Sequence, residues 1–579
     1  MGDRLGAVTD RGRSPAGLWR RLVIALRADE ARALGGRARQ QGLLAVVTGL
    51  LTGLGVAGFE RVVANGLFDH LLVQPLWVQA IMPAVGLAVA ATILRTLGRG
   101  ATSATADEYI KSFHDQDHDL DRRPAPARLL ASAATLGTGA AMGYEGPALY
   151  LGAAIGAWLQ ARWAAATSRD DAKLLMVCGA AAGVAAIFKA PATGLVFALE
   201  VPYRADLARR MLLPAMFAAA SSYVVFVAVN GTEPLFPIGG TPPFDLRDLG
   251  GAVMLGLLAG VGARAFAYAI RTAKTIATKQ SPLVRLPIVA AGLVATFVAT
   301  RVLTGESLSI GSGYLAIDWA LQPGHAVATI AAIFVLRALA TTLAVGGSGV
   351  GGLFVPLVVQ GALLGAALGS AVHATEPTLF PLLGIAAFLG AGYRVPLAAV
   401  VFVAETTGRP GFVVPGLIAA ASSQLLMGHS SVTPYQRATR TSTVARRLAL
   451  PVTAAMRADA PTIGPCATLN QLVDMTTTKA SRYAIPVVDE HRSYHGTITL
   501  ADLFAVPGAE WDTTPVARLA RTDTLVVDPT WTLGEALQAI EAARTDQLPV
   551  VEQGRLIGVI AAADILQLDL ILAEADRAE

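Results

Sequence analysis

Between residues 42 and 428, apolar runs follow one another with few charges between them, at 42–59, 81–97, 129–160, 174–200, 250–269, 286–303, 326–345 and 379–404. A helix needs about 20 apolar residues to cross a bilayer, so the pattern predicts a helical membrane region. The runs differ in length and are repeatedly cut by Gly and Pro, so simple spanning helices do not account for all of them. Residues 129–161 would reach about 50 Å as one helix, yet Gly143-Tyr-Glu-Gly-Pro147 interrupts them. Two half-helices meeting inside the membrane fit better. Past residue 445 the pattern changes. Residues 451–579 alternate short apolar strands with charged helices and hold no window long enough to span, which predicts a soluble α/β region.

Composition sharpens this reading. Of 579 residues, 54% are hydrophobic and only 15% charged, where a soluble chain carries about a quarter charged residues. A purely soluble multidomain enzyme is excluded, and no catalytic set is expected. The 58 glycines suit closely packed membrane helices. Cys178 and Cys466 lie far apart, so disulfide scaffolds and cysteine metal sites drop out, and no metal is expected. A net charge of +4 with dispersed basic residues leaves no nucleic-acid footprint.

Residues 1–40 carry nine Arg against four acids and no cleavable signal segment, which places the N-terminus in the cytoplasm. Residues 18–34 read equally as an amphipathic helix on the membrane surface or as a solvated basic helix. Forty Arg against six Lys, with abundant Ala, suggests a GC-rich bacterial source, hence a multi-pass protein of the bacterial cytoplasmic (inner) membrane.

An internal repeat is the most informative feature. Gly143-Tyr-Glu-Gly-Pro147-Ala-Leu-Tyr-Leu-Gly152 matches Gly352-Leu-Phe-Val-Pro356-Leu-Val-Val-Gln-Gly361, and Phe188-Lys-Ala-Pro191 through Glu200 matches Tyr393-Arg-Val-Pro396 through Glu405. The membrane part, 41–445, therefore divides into two homologous halves, about 41–235 and 245–445. Gly/Pro-broken helices at matching places in two halves bring half-helix ends together near the midplane. A helix N-terminus offers unpaired N–H groups and a positive dipole end. Pro147 and Pro356 suit a first turn, and Gly143, Gly146, Gly351 and Gly352 let backbone approach a ligand. Such a place favours a small anion held by neutral dipoles.

Glu145 is the only charged side chain between Arg128 and Arg162. An intramembrane carboxylate is a functional candidate. It either occupies the anion's place and leaves when protonated, acting as a gate, or pairs with a buried cation. Glu200 and Glu405 hold matching positions beyond Lys189 and Arg394 and read as structural partners, while Lys189 alternatively tunes the potential at a pore mouth.

At these residues the chain resembles the chloride channel and transporter (CLC) family, over roughly residues 85–440. The resemblance implies an all-α polytopic membrane domain of two inverted repeats with broken helices, assembled as a homodimer in the lipid bilayer with one anion pathway per subunit. It makes Glu145 the gating glutamate, answering to voltage or pH. Gly143, Tyr144 and Gly146 would lie beside the anion, Leu353 and Phe354 would donate backbone N–H to it, and Tyr435 would face it with its hydroxyl. Chloride or a similar small anion is the implied substrate, with no cofactor required. Fluoride specialists lack this form of the Glu145 motif, and a magnesium channel would need acidic or carbonyl-lined cation sites.

Two departures bear on mechanism. Proton-coupled family members usually carry a second glutamate where this chain has Val201. Valine cannot carry a proton, so the expectation is a passive channel, the alternative being a Cl⁻/H⁺ antiporter with a substitute intracellular proton route. The family's Gly-Ser-Gly-x-Pro loop is replaced by Gly98-Arg-Gly100-Ala-Thr-Ser-Ala-Thr105. A direct overlay puts Arg99 at the serine position; a rearranged loop would bring Thr102, Ser103 or a backbone N–H to the anion instead.

The tail resembles a tandem pair of cytoplasmic CBS domains, 451–506 and 516–570. The resemblance implies ribose contacts from Asp502 and Asp564 and a phosphate contact from Thr499, where the second copy has Ala561. An adenine nucleotide (ATP, ADP or AMP) and a purely structural dimerisation role remain alternatives here.

Overall fold

The computed structural model describes residues 39–115, 120–163, 173–236, 244–439, 447–479 and 484–578. The helix read over residues 18–34 lies outside them. The chain divides into two compact units, Met1–Arg440 and Thr441–Glu579.

The described residues of the first unit form sixteen helices of eight residues or more, in two series of eight. The first series is α1 (Arg39–Leu72), α2 (Leu76–Leu97), α3 (Ala106–His114), α4 (Ala125–Gly137), α5 (Glu145–Trp163), α6 (Leu174–Ile187), α7 (Pro191–Glu200) and α8 (Leu212–Asn230). The second is α9 (Leu246–Lys279), α10 (Pro282–Thr304), α11 (Tyr314–Leu321), α12 (Val327–Gly346), α13 (Phe354–Ala371), α14 (Leu379–Gly392), α15 (Pro396–Thr407) and α16 (Val413–Met427). Each member of the second series starts between 201 residues (Leu212 to Val413) and 209 residues (Glu145 to Phe354) after its counterpart. Eight helices among the described residues are long and apolar enough to cross a bilayer. α6, α7, α14 and α15 are apolar but shorter.

The long run at 129–161 is broken as its glycines suggest, with the break at 138–144, just ahead of the Gly-Pro pair. Gly139 takes φ +84° there, a conformation open mainly to glycine. Pro191 and Pro396 open α7 and α15 at the position where a missing N–H costs nothing. Every residue of α6 and of α14 is buried, as expected of helices that are apolar all round. They pack backbone to backbone on α5 and α13. A Cβ at Gly152 or Gly179 would strike the other's carbonyl, and so would one at Gly361 or Gly384.

In the second unit, β1 (Ile485–Val488) pairs antiparallel with β2 (Tyr494–Ile498), and β3 (Gln547–Glu552) with β4 (Arg555–Ala561). α17 (Leu469–Lys479) and α18 (Leu500–Leu503) accompany the first hairpin, α19 (Leu533–Ala543) and α20 (Ala562–Ala578) the second. The stretches that precede each copy are exchanged. Val452 packs in the core with Leu548 and Ile560, while Val516 packs with Ile485 and Ile498.

Candidate anion site

The two interrupted segments meet. Gly143 N–H donates to the Gly352 carbonyl (3.0 Å) and Gly352 N–H donates to the Gly143 carbonyl (2.8 Å). α5 and α13 each begin two residues past this bridge, so two helix N-termini, with their unpaired N–H groups, are brought together.

Glu145 is the first residue of α5 and is buried. Its Oε1 accepts a hydrogen bond from Phe354 N–H, the first residue of α13, at 2.6 Å. Its Oε2 is buried with no partner among the described residues. The carboxylate lies in a notch between Gly143 and Gly352, where a Cβ on either would collide with it. A negative group thus fills the position at which the α13 N-terminus would hold an anion. Gly146 packs on the backbone of Gly351 and Gly352 and on the Thr105 hydroxyl, which donates to the Gly351 carbonyl (3.1 Å).

Next to this notch opens a cavity of about 540 Å³, whose lining includes Thr102, Ser103, Thr105, Leu353, Tyr393 and Tyr435. Four sequence candidates, Thr102, Ser103, Leu353 and Tyr435, therefore share one cavity. Arg99 is exposed, in a left-handed conformation (φ +50°), and does not line it. At this loop it is Thr102 and Ser103, not Arg99, that line the space. Tyr144 is buried away from the cavity, its hydroxyl without a partner among the described residues.

Glu200 and Glu405 are exchanged between the halves. Glu200, at the end of α7, accepts from Leu397 N–H (3.2 Å) and Ala398 N–H (2.9 Å) in the first turn of α15. Glu405, on α15, accepts from Ala192 N–H (2.8 Å), Thr193 N–H (2.7 Å) and the Thr193 hydroxyl (2.7 Å) in the first turn of α7. Each caps the other half's helix. Lys189 and Arg394 share a left-handed φ (52° and 58°) and donate to carbonyls at the ends of α8 and α16, those of Asn230 and Gly428. Val201 is fully buried, and its carbonyl accepts from the Gln436 amide (2.8 Å).

Two arginines escaped sequence reasoning. Arg128 Nε donates to the Thr102 carbonyl (3.2 Å), and the wholly buried Arg337 donates to the carbonyls of Leu308, Ile310 and Gly311. Each braces the loop before a short helix, α3 or α11. They stand 209 residues apart, the same offset as Glu145 and Phe354, which is the signal that could have found them.

In the second unit, Asp502 and Asp564 are already engaged. Asp502 accepts from the Thr499 N–H (2.8 Å) and hydroxyl (2.6 Å) and from Arg521 (3.0 and 2.5 Å). Asp564 accepts from Ala561 N–H (3.0 Å) and Arg457 (3.1 Å). Among the described residues no group of three or more His, Cys, Asp or Glu side chains is gathered for a metal ion.

The family described as "Voltage gated chloride channel" matches residues 85–428, and the family described as "CBS domain" matches residues 516–570. A chloride channel protein named ClcB-like, from Ralstonia nicotianae, is 28% identical over 390 residues, covering 65% of this chain and 88% of that protein. The H(+)/Cl(-) exchange transporter ClcA of Citrobacter koseri is 27% identical over 403 residues, covering 66% and 84%. A solved structure of a eukaryotic CLC transporter aligns with a TM-score of 0.59 at 16% identity, covering 91% of this chain and 98% of that one, a likeness of fold.

Proposed function

The chain belongs to the voltage gated chloride channel (CLC) family, as a helical multi-pass membrane protein followed by a small α/β CBS domain, so its work is chloride transport, and on that premise we propose that it is a passive anion channel gated by Glu145. The observation that carries the gate is the 2.6 Å hydrogen bond from Phe354 N–H to Glu145 Oε1. The carboxylate and a permeating anion compete for the same donor. Protonation removes the negative charge, weakens the hold of the helix dipole and frees the place for chloride. Thr102, Ser103 and Tyr435 offer hydroxyls along the adjoining cavity, which Leu353 also lines.

Passive conduction is supported by Val201, buried and without a titratable group. A second reading, chloride–proton exchange, is favoured by the named activity of the ClcA relative and by His114, whose Nε2 lies 2.7 Å from the carbonyl of Pro202, the residue after Val201. Purified protein in liposomes under a chloride gradient separates them. Chloride moving to its Nernst equilibrium without linked proton movement is the channel's result; protons driven uphill by chloride are the exchanger's.

Family members are typically dimers, which supports a homodimer with one pathway per subunit. Relatives in bacteria and the arginine-rich first 40 residues support the bacterial cytoplasmic membrane, with the N-terminus and CBS region on the cytoplasmic side. The arginines already held by Asp502 and Asp564 support a structural over an adenine-nucleotide role for the tandem CBS region. Titration with AMP, ADP and ATP by calorimetry tests this, binding heat being the contrary result.

A further inference from the structure

The repeat lets residues of one half be judged against their counterparts in the other, and the match breaks at two neighbouring residues on the cavity, Arg285 and Ser348. The fourth residue of α2 is Gln79, a neutral amide with both ends engaged: Nε2 donates to the carbonyls of Leu72 and Gln74, and Oε1 accepts from the Ser307 hydroxyl. The fourth residue of α10 is Arg285. Its guanidinium donates to the Gly346 carbonyl (2.5 Å) and to Ser348 Oγ (2.7 Å), but its Nε–H finds no acceptor among the described residues. Arg285 is only 5% exposed. A buried charged donor left bare is costly and calls for an occupant.

Ser348 is the second break. It holds φ +64°, while the residue 209 positions earlier, Gly139, meets the same left-handed requirement (φ +84°) without a side chain. The second half accepts backbone strain and gains a hydroxyl. Ser348 Oγ takes its hydrogen bond from Arg285, which leaves the hydroxyl proton free to donate. Both residues line the 540 Å³ cavity, together with Arg95 and Lys274. The one carboxylate in that lining, Asp107, is held by Lys274 Nζ at 2.5 Å.

We propose that Arg285 Nε–H and Ser348 O–H form a loading site for a small monovalent anion at the mouth of the cavity, where α2 ends and α10 begins. Arg95, with the Lys274 charge spent on Asp107, raises the local anion concentration there. The proposal rests on the reading of this cavity as part of the anion pathway. A low-dielectric cleft lined by excess positive charge focuses its field and speeds anion entry. Two donors, one of them neutral, bind firmly enough to capture an anion and weakly enough to pass it on. The loading site also differs in kind from the Phe354 N–H position, since its one nearby carboxylate is already paired and cannot compete.

The test uses full-length protein with chloride replaced by bromide, located by anomalous diffraction, alongside chloride flux into liposomes at a series of chloride concentrations. Bromide is expected within hydrogen-bonding reach of Arg285 Nε and absent from R285Q, which copies Gln79. The half-saturating chloride concentration of R285Q should rise by about tenfold at low ionic strength, the difference shrinking as salt is added. S348G relieves the strained φ, so its melting temperature should hold or rise while bromide is lost; a merely structural serine would not separate the two. Bromide elsewhere on the pathway but never at Arg285, or an unshifted half-saturation in R285Q, overturns the proposal. Bromide nowhere in the cavity overturns the pathway reading with it. A bromide at Arg285 beside an E145Q variant with unaltered pH dependence leaves the loading site standing and removes the gate.

Discussion

Glu145 is restrained by one N–H on one oxygen, while the other oxygen is buried and unpaired among the described residues. Such a group is poised to exchange its place rather than to hold the fold. Glu145→Gln keeps the shape and an acceptor for Phe354 N–H but no charge, and is expected to remove most of the pH dependence of chloride flux; flux measured across acid and neutral pH checks this, and an unaltered profile sinks the gate. Asp502 shows the opposite design. Burial alone would raise its carboxyl, but the hydrogen bonds from Thr499 and the Arg521 guanidinium outweigh it and hold the group below the ordinary aspartate range. A depressed folded value means the stabilisation is complete above the unfolded value of about 3.9 and is lost as pH falls through the folded one. Amide-exchange protection around residues 496–503 should therefore be level from neutral pH down to about 5 and fall below that, with Asp502→Asn abolishing this acid step. The meeting of the Glu145 and Phe354 segments could be read from the repeat, while Tyr435 could be singled out only through the family resemblance. Thr105 and Arg337 were not, because a common hydroxyl and a lone arginine acquire meaning only when folding sets them against a particular carbonyl.

Among the elements, α5 on α6 and α13 on α14 come backbone to backbone at paired glycines, Gly152 with Gly179 and Gly361 with Gly384. Gly152→Ala and Gly361→Ala must push backbones apart and should each cost about 1–3 kcal/mol, read as a lower melting temperature in detergent. The exchanged caps are milder. Glu405→Gln, which keeps one acceptor oxygen for the α7 first turn, should cost about 1 kcal/mol, and Glu200→Gln about the same at α15. Equal shifts in melting temperature are expected for the two; a large inequality would mean that one of these carboxylates does more than cap. The break within 129–161 was readable from its glycines, but its position at 138–144 was not. Pro147 lies inside the first turn of α5 rather than in the break, because a helix tolerates proline there.

At the scale of the molecule, the core of the membrane unit extends, among the described residues, to Val432, and the second unit has two cores of its own. A chain ending at residue 440 should therefore keep its chloride flux and melting temperature; loss of either would show that the second unit carries part of the first unit's stability. The two-part division was plain from hydropathy. The exchange of Val452 and Val516 between the hairpins was not, since nothing in an apolar residue's neighbourhood says which of two similar cores will receive it. The reciprocal caps have a further consequence, for synthesis. Ala192 N–H finds its acceptor on Glu405, 213 residues downstream. At roughly 5–20 residues per second, the first half must wait in the bilayer for about 10–40 s with the start of α7 uncapped, so a ribosome stalled between the halves leaves a membrane intermediate open to quality control.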